Sequence, residues 1–252
     1  MRSMQQQKLQ TGWWRMQEIY KITPELLRDE NYLFEYIYKN MKNNYYWSDE
    51  WSEELYIELA KRGFIATSYD TLEGLVLLPE IQFAYAVLFF EKLHISQKVK
   101  KLLQKDDYIL SFNSRFDEVL DALEHFHKYN WLKGEYRVLL ERLKRGAYEN
   151  FSVMSVELSS KESGELIAGE VGYVIGRTYT SLSGFSSREK AYKNCGSLQL
   201  VLLAQHLQKE GFAFWNLGHP YMEYKKRLGA EILEREKFLE LWNREITRSR
   251  NE

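Results

Sequence analysis

The residues best suited to chemistry sit together near the end of the chain. In FAFWNLGHP, Phe212 to Pro220, an apolar run that reads as a buried strand stops at Asn216, Leu217, Gly218, His219 and Pro220. An amide and an imidazole at one strand end could orient a polar group and take up a proton, because imidazole ionises near neutral pH. Pro220 equally suits the first turn of a helix, which would leave His219 merely exposed beside a cap. The other candidates are weaker. His125 and His127 are two apart on a predicted helix and point to different faces, so that helix cannot offer both to one metal. His94 and His206 read as surface or core-edge histidines. Cys195, the single cysteine, has no CxxC partner and excludes an intramolecular disulfide, which suits a reducing compartment. No phosphate-binding G-x-x-x-x-G-K-[ST] loop, G-x-S-x-G elbow or H-E-x-x-H helix occurs.

A second chemical feature is charge. From Lys92 to Lys105, KLHISQKVKKLLQK carries five lysines and no acid. On a helix opened by Ser96, Lys98, Lys101 and Lys105 share one face. That face is either simply solvated or a phosphate-contacting patch, which positions nucleic acid without reading its sequence. Over the whole chain the balance is different. With 252 residues, 44% hydrophobic and 28% charged, and a net charge of −1, the profile is that of a soluble globular protein without a generally basic coat. The stretch MRSMQQQKLQTGWW is polar and lacks the apolar centre of a signal peptide, and residues 1 to about 20 read as a loose lead-in. The runs LVLLP and FAYAVLFF fall far short of the roughly 18 residues that span a bilayer. A cytoplasmic protein with no membrane partner is the expectation.

The elements that must position these residues follow from periodicity. Helical spacing appears in ITPELLRDENYLFEYIYKN and in SDEWSEELYIELAKRGFI, the latter with Ser48 or Ser52 as N-cap and Gly63 as stop. GLVLLP, FAYAVLFF and YILSFN read as strands, and 115–126 and 133–145 as helices. FSVMSVELSS, ELIAGEVGYVI and RTYTSLSGF then read as three antiparallel strands. A long helix, SLQLVLLAQHLQKEG, ends at Gly211 and is followed by the strand FAFWNLG, a helix from Pro220 to Arg227, and a last strand after Gly229. The order defines an α+β class. Two domains are expected: residues 1–110, a smaller N-terminal α/β domain holding the basic helix, and residues 111–252.

In this order the pieces resemble the bacterial leucyl/phenylalanyl-tRNA–protein transferase family. LHISQKVKKLLQKDDYILSFNSRFDEVLDAL is similar to that family's His-x-Ser, basic helix, strand and Phe-x-x-Val helix. YNWLKGEYRVLLERLKRGAYENFSVMSVEL resembles its Trp-Ile segment and Ala-His-Ser-Val-Glu strand. GELIAGEVGYVIGRTYTSLSGFSS resembles its Leu-Val-Gly-Gly-x-Tyr-Gly-Val hairpin leading to Gly-Glu-Ser-Met-Phe-Ser. LLAQHLQKEGFAFWNLGHPYMEYKKRLGAEILEREKFLELW resembles its closing Asp-x-Gln strand end and Leu-Gly-Ala. The likeness runs from about Trp51 to Trp242.

The resemblance implies a C-terminal acetyltransferase-like (GNAT-like) domain behind a smaller N-terminal one. It implies transfer of leucine or phenylalanine from charged tRNA to proteins that begin with arginine or lysine, marking them as N-degrons for degradation. No metal or cofactor is implied, and a monomer is expected. Lys92, Lys98, Lys101 and Lys105 would meet the 3′ acceptor end of the aminoacyl-tRNA, and the second partner is a protein or peptide N-terminus.

Against that pattern the chemistry is eroded. The family's glutamate falls on Leu182, while its phenylalanine and serine survive as Phe185 and Ser186. Its aspartate falls on Asn216 and its glutamine on Gly218 or His219. RGFIATSY and LLPEIQ replace a proline-containing turn and a Trp-Trp-Ser-Pro segment. Trp131, Tyr179 and Leu203 remain for a side-chain pocket. The expected activity is therefore an aminoacyl-tRNA-dependent aminoacyltransferase of altered specificity, with Asn216 orienting the ester and His219 as a replacement base. The alternative is an inactive relative that binds tRNA or protein N-termini. An acyl-CoA acyltransferase is less favoured, because SSREKAYKNCGS lacks a glycine-rich, basic pyrophosphate loop.

Overall fold

The computed structural model describes residues 19–248; the expected lead-in falls almost entirely outside them. The N-terminal part is built on two short pairings. β1 (Tyr20–Lys21) and β2 (Tyr46–Trp47) run parallel, separated by α1 (Pro24–Arg28), α2 (Glu30–Tyr32) and a π-helical turn, Leu33–Tyr38. In α3 (Glu53–Lys61) the Ser52 hydroxyl accepts from the Leu55 N–H, Glu53 and Glu54 sit in the first turn where the helix dipole favours acids, and Gly63 follows with φ +82°. β3 (Ile65–Thr71) and β4 (Gly74–Glu80) form a hairpin in register from Ile65↔Glu80 to Thr71↔Gly74. The resemblance puts a turn where β3 lies. β-branched Ile65, Thr67 and Thr71 give it strand character, and Ile65 and Ala66 are buried.

The rest of the chain makes one seven-stranded sheet in the order β11-β5-β10-β9-β8-β7-β6. Its strands are β5 (Ala84–Leu88), β6 (Tyr108–Phe112), β7 (Phe151–Ser160), β8 (Leu166–Ile175), β9 (Thr178–Ser186), β10 (Phe214–Gly218) and β11 (Glu231–Glu234). The helices between them are α4 (Gln97–Lys105), α5 (Phe116–Phe126), α6 (Glu135–Arg145), α7 (Cys195–Lys209), α8 (Glu223–Leu228) and α9 (Arg235–Ile246). β6 to β9 form the expected antiparallel meander, and β10 returns through α7 to lie parallel to β9.

Alternation along the strands fills two cores. Val153, Val171, Tyr173 and Phe214 face α5, α6 and α9, whereas Val156, Leu158, Tyr179, Trp215 and Leu217 face α7. β5 is apolar on both sides, with Tyr85 and Val87 in one core and Ala86 and Leu88 in the other. Such a strand must be interior, and it lies between β10 and β11. The sheet thus crosses the expected division at residue 110: β5 and β6 are part of it, and the first core runs from Ile22 to Trp242.

Two elements differ from the sequence reading. The helix expected from Pro220 begins at Glu223, with Pro220 buried in the turn before it. The strand after Gly229 is β11, but the chain goes on into α9, whose buried Arg235, Phe238, Leu239 and Trp242 repeat at helical spacing. Among the described residues no helix is long and apolar enough to cross a membrane.

Candidate functional site

Parallel pairing of β9 and β10 lasts three residues, Phe214↔Thr178, Trp215↔Tyr179 and Asn216↔Thr180. Past that point both strands are irregular. β9 slips against β8 between Val171 and Gly172, and β10 slips against β5 between Asn216 and Gly218. Leu217 to His219 therefore part from β9 and form a shelf. Gly218 turns it with φ +71°, a conformation that costs other residues energy, and a Cβ there would lie 3.2 Å from Ile65 Cδ1.

Asn216 is buried and spends both ends of its amide on this shelf. Oδ1 accepts from the Gly218 N–H at 2.9 Å and Nδ2 donates to Thr180 Oγ1 at 3.3 Å. The His219 side chain is 42% exposed, and its Nε2 lies 3.2 Å from Glu80 Oε2. Glu80 is buried and also accepts from Asn44 Nδ2 at 2.6 Å. Burial, followed by the Glu80 carboxylate, pushes the neighbouring Tyr45 hydroxyl well above its ordinary pKa. In the neutral imidazole, a carboxylate accepting at Nε2 places the hydrogen on that nitrogen and leaves the lone pair on Nδ1. Nδ1 is enclosed and has no hydrogen-bond partner among the described residues; the same is true of Gln82 Oε1.

The shelf is held from below by charge. Lys225 on α8 is 4% exposed, and its Nζ donates to the carbonyl of His219 at 2.7 Å and to that of Leu217. Burial lowers its pKa to about 8, against the opposing pull of Glu170. Glu170 is buried on β8 and accepts from Ser181 Oγ at 2.7 Å, Tyr179 Oη at 2.9 Å and Gln199 Nε2 at 3.2 Å. Burial raises the Glu170 pKa, and those three hydrogen bonds and Lys225 offset part of the rise.

The remaining predicted residues do not gather at one point. Tyr179 on β9 and Leu203 on α7 are fully buried in the core between the sheet and α7. Leu182, Phe185 and Trp131 pack, half-buried, against the core on the opposite side, with Trp131 edge-on to Tyr136. Phe185 and Ser186 line an open cleft of about 570 Å³ shared with Phe126, Ile167 and Arg188. His127 meets the Gly184 carbonyl at 3.1 Å, while His125 folds back on that of Asp121. Cys195 is buried at the start of α7, and burial raises its pKa. Lys98, Lys101 and Lys105 are exposed on α4 with Val99 turned to the core, and Lys92 pairs with Glu231 on β11. Sequence reasoning missed Glu80, Glu170 and Lys225. The two acids were visible as lone carboxylates inside apolar runs, LLPE and LIAGEVGYV; Lys225, inside YKKR, carried no such signal.

The fold and shelf define a mixed α/β protein whose parallel central strands separate at a polar strand end. The chain belongs to the leucyl/phenylalanyl-tRNA protein transferase family, whose model matches residues 87–243. The leucyl/phenylalanyl-tRNA–protein transferase of Pseudomonas entomophila (strain L48) is 31% identical over 155 residues, 60% of this chain and 64% of that protein. That of Pseudomonas putida (strain W619) is 32% identical over the same length and coverage. The chain thus spans just under two thirds of these relatives. Among solved structures, FemX aligns with a TM-score of 0.43 at 10% identity, covering 72% of this chain and 66% of that one.

Proposed function

We propose that this protein moves an amino acid from charged tRNA to the N-terminal amine of a protein in the cytoplasm, with donor or acceptor changed from leucine or phenylalanine onto arginine or lysine. Family membership over residues 87–243 supports the reaction class. The observation that carries the reading is His219, braced by Glu80 at the end of the central strand. We read the β6–β9 meander, α7 and parallel β10 as an acetyltransferase-like core, with β1–β4 and α1–α3 as the smaller N-terminal unit and β5 inserted into the core sheet.

In the reaction the acceptor nitrogen attacks the ester carbonyl carbon. The C–N bond forms as the C–O bond to the tRNA ribose breaks, and the amine proton passes through His219 Nδ1 to the departing ribose oxygen. Nδ1 is enclosed in this structure, so the step requires that substrate binding expose it. An α-amine is roughly one tenth neutral at pH 7, so the base contributes about 10²- to 10⁴-fold and is not indispensable. Asn216 acts by holding the shelf, since its amide is already engaged. Leu182 disfavours arginine- and lysine-starting acceptors, because a desolvated cation without a partner is costly.

The test supplies total tRNA charged with labelled amino acids and a pool of peptides differing at residue one. Label in peptide supports the reading, and His219→Ala should then lower transfer by about 10²-fold or more and Glu80→Gln by about tenfold. No label, with tRNA still bound to the protein, would identify an inactive relative.

A further inference from the structure

The segment after the shelf exposes large apolar side chains, of which Tyr224 is partly engaged: its ring lies 5.8 Å from Lys225 Nζ, and burial, then Glu170, pushes its hydroxyl pKa up to about 12. Tyr221 is 79% exposed, Met222 51% and Tyr224 45%. The Tyr221 ring lies 5.4 Å from that of His219, so this surface begins at the shelf itself. Charge says what it faces. At the surface of Tyr221 to Leu228, Lys226 and Arg227 stand against one acid, Glu223, which lies 3.8 Å from Lys226, while Lys225 is buried beneath them. This balance repels a cationic protein N-terminus and complements phosphate.

The surface also continues into the basic helix. The Leu228 carbonyl accepts from the His94 N–H at 2.8 Å. Gly229, at φ +104°, lets the chains close up, since a Cβ there would sit 2.0 Å from the Lys92 carbonyl. Two residues beyond His94, Ser96 opens α4 with its exposed Lys98, Lys101 and Lys105. Exposed rings beside a cationic track are the means by which proteins hold unpaired nucleotides, the rings stacking on bases and the cations following the backbone.

We propose that Tyr221 and Tyr224 are the stacking platform for the unpaired 3′ nucleotides of the charged tRNA, and that they deliver the terminal ester to His219. The inference rests on the transfer reading, but its test needs no turnover. Full-length protein is titrated with uncharged tRNA and with the same tRNA trimmed of its unpaired 3′ nucleotides. Changing Tyr221→Ala and Tyr224→Ala together should weaken binding of the intact tRNA on the order of 10- to 100-fold. The same pair should leave the trimmed tRNA unchanged, and Tyr221→Phe with Tyr224→Phe should keep wild-type affinity. Equal binding of intact tRNA by wild type and the alanine pair would overturn the platform, as would a loss of acceptor-peptide binding with tRNA affinity intact. A wild type that holds the 3′ end by these rings yet transfers nothing would keep the platform and refute the transfer reading alone.

Discussion

Replacing Arg235 tests how the fold aims the shelf. The side chain is 2% exposed, and its guanidinium donates to five backbone carbonyls. Nε reaches Gln82 at 3.0 Å, one terminal nitrogen reaches Ile37 and Tyr38 at 3.1 Å and Asn40 at 2.7 Å, and the other reaches Ile81 at 2.7 Å. It thereby ties the end of the π-helical turn to the residues following β4, next to the Glu80 that holds His219. Arg235→Met fills similar volume but leaves those carbonyls without this donor. Each dry carbonyl costs about 1 kcal/mol at the low end, and relief from burying a charge returns part of the sum. The net loss should be about 3–5 kcal/mol, which for a chain of this size lowers Tm by roughly 6–20 °C. Arg235→Lys should recover little, because an ammonium is one point and cannot span acceptors on both sides. Thermal and urea melts of the three proteins measure this. A methionine variant within about 1 kcal/mol of wild type would refute the clamp.

Lys225 ionises at about pH 8 in the fold against 10.5 outside it, so between those values the unfolded chain holds the extra proton and stability rises with pH. Urea unfolding at about pH 7.5 and about pH 9.5 should therefore move in favour of wild type over Lys225→Met by about 2 kcal/mol, and a constant difference would mean that the lysine titrates normally. Gly218→Ala must hold a left-handed backbone and crowd Ile65, so it should lose about 1–2 kcal/mol in the same melts; unchanged stability would show that the shelf relaxes freely. Lys98, Lys101 and Lys105 changed together to Glu should weaken tRNA binding at least tenfold and flatten its salt dependence. Unaltered affinity in filter binding would leave α4 a solvated face.

Much of the fold was legible because local rules decided it. Ser52 and Ser96 open their helices as cap chemistry requires, the meander follows alternation, and the basic face of α4 follows spacing. The candidate strand end was legible too, since an apolar run closing on Asn-Leu-Gly-His-Pro is a local event. Its partners were not. Glu80 lies 139 residues from His219, and Trp131, Tyr179 and Leu203, alike as apolar candidates in sequence, part to opposite faces of the sheet.

The sequence by itself determined most of the element types, the polar shelf and membership of a family, all of which depend on the order and period of residues. Only the tertiary structure decided that β5 would enter the sheet beside β10, that Asn216 would turn inward, and that Glu80 and Lys225 would hold His219 from two sides. Those are contacts between segments far apart in the chain. They are set by which buried polar groups can satisfy one another once the core has formed, and no periodicity encodes that.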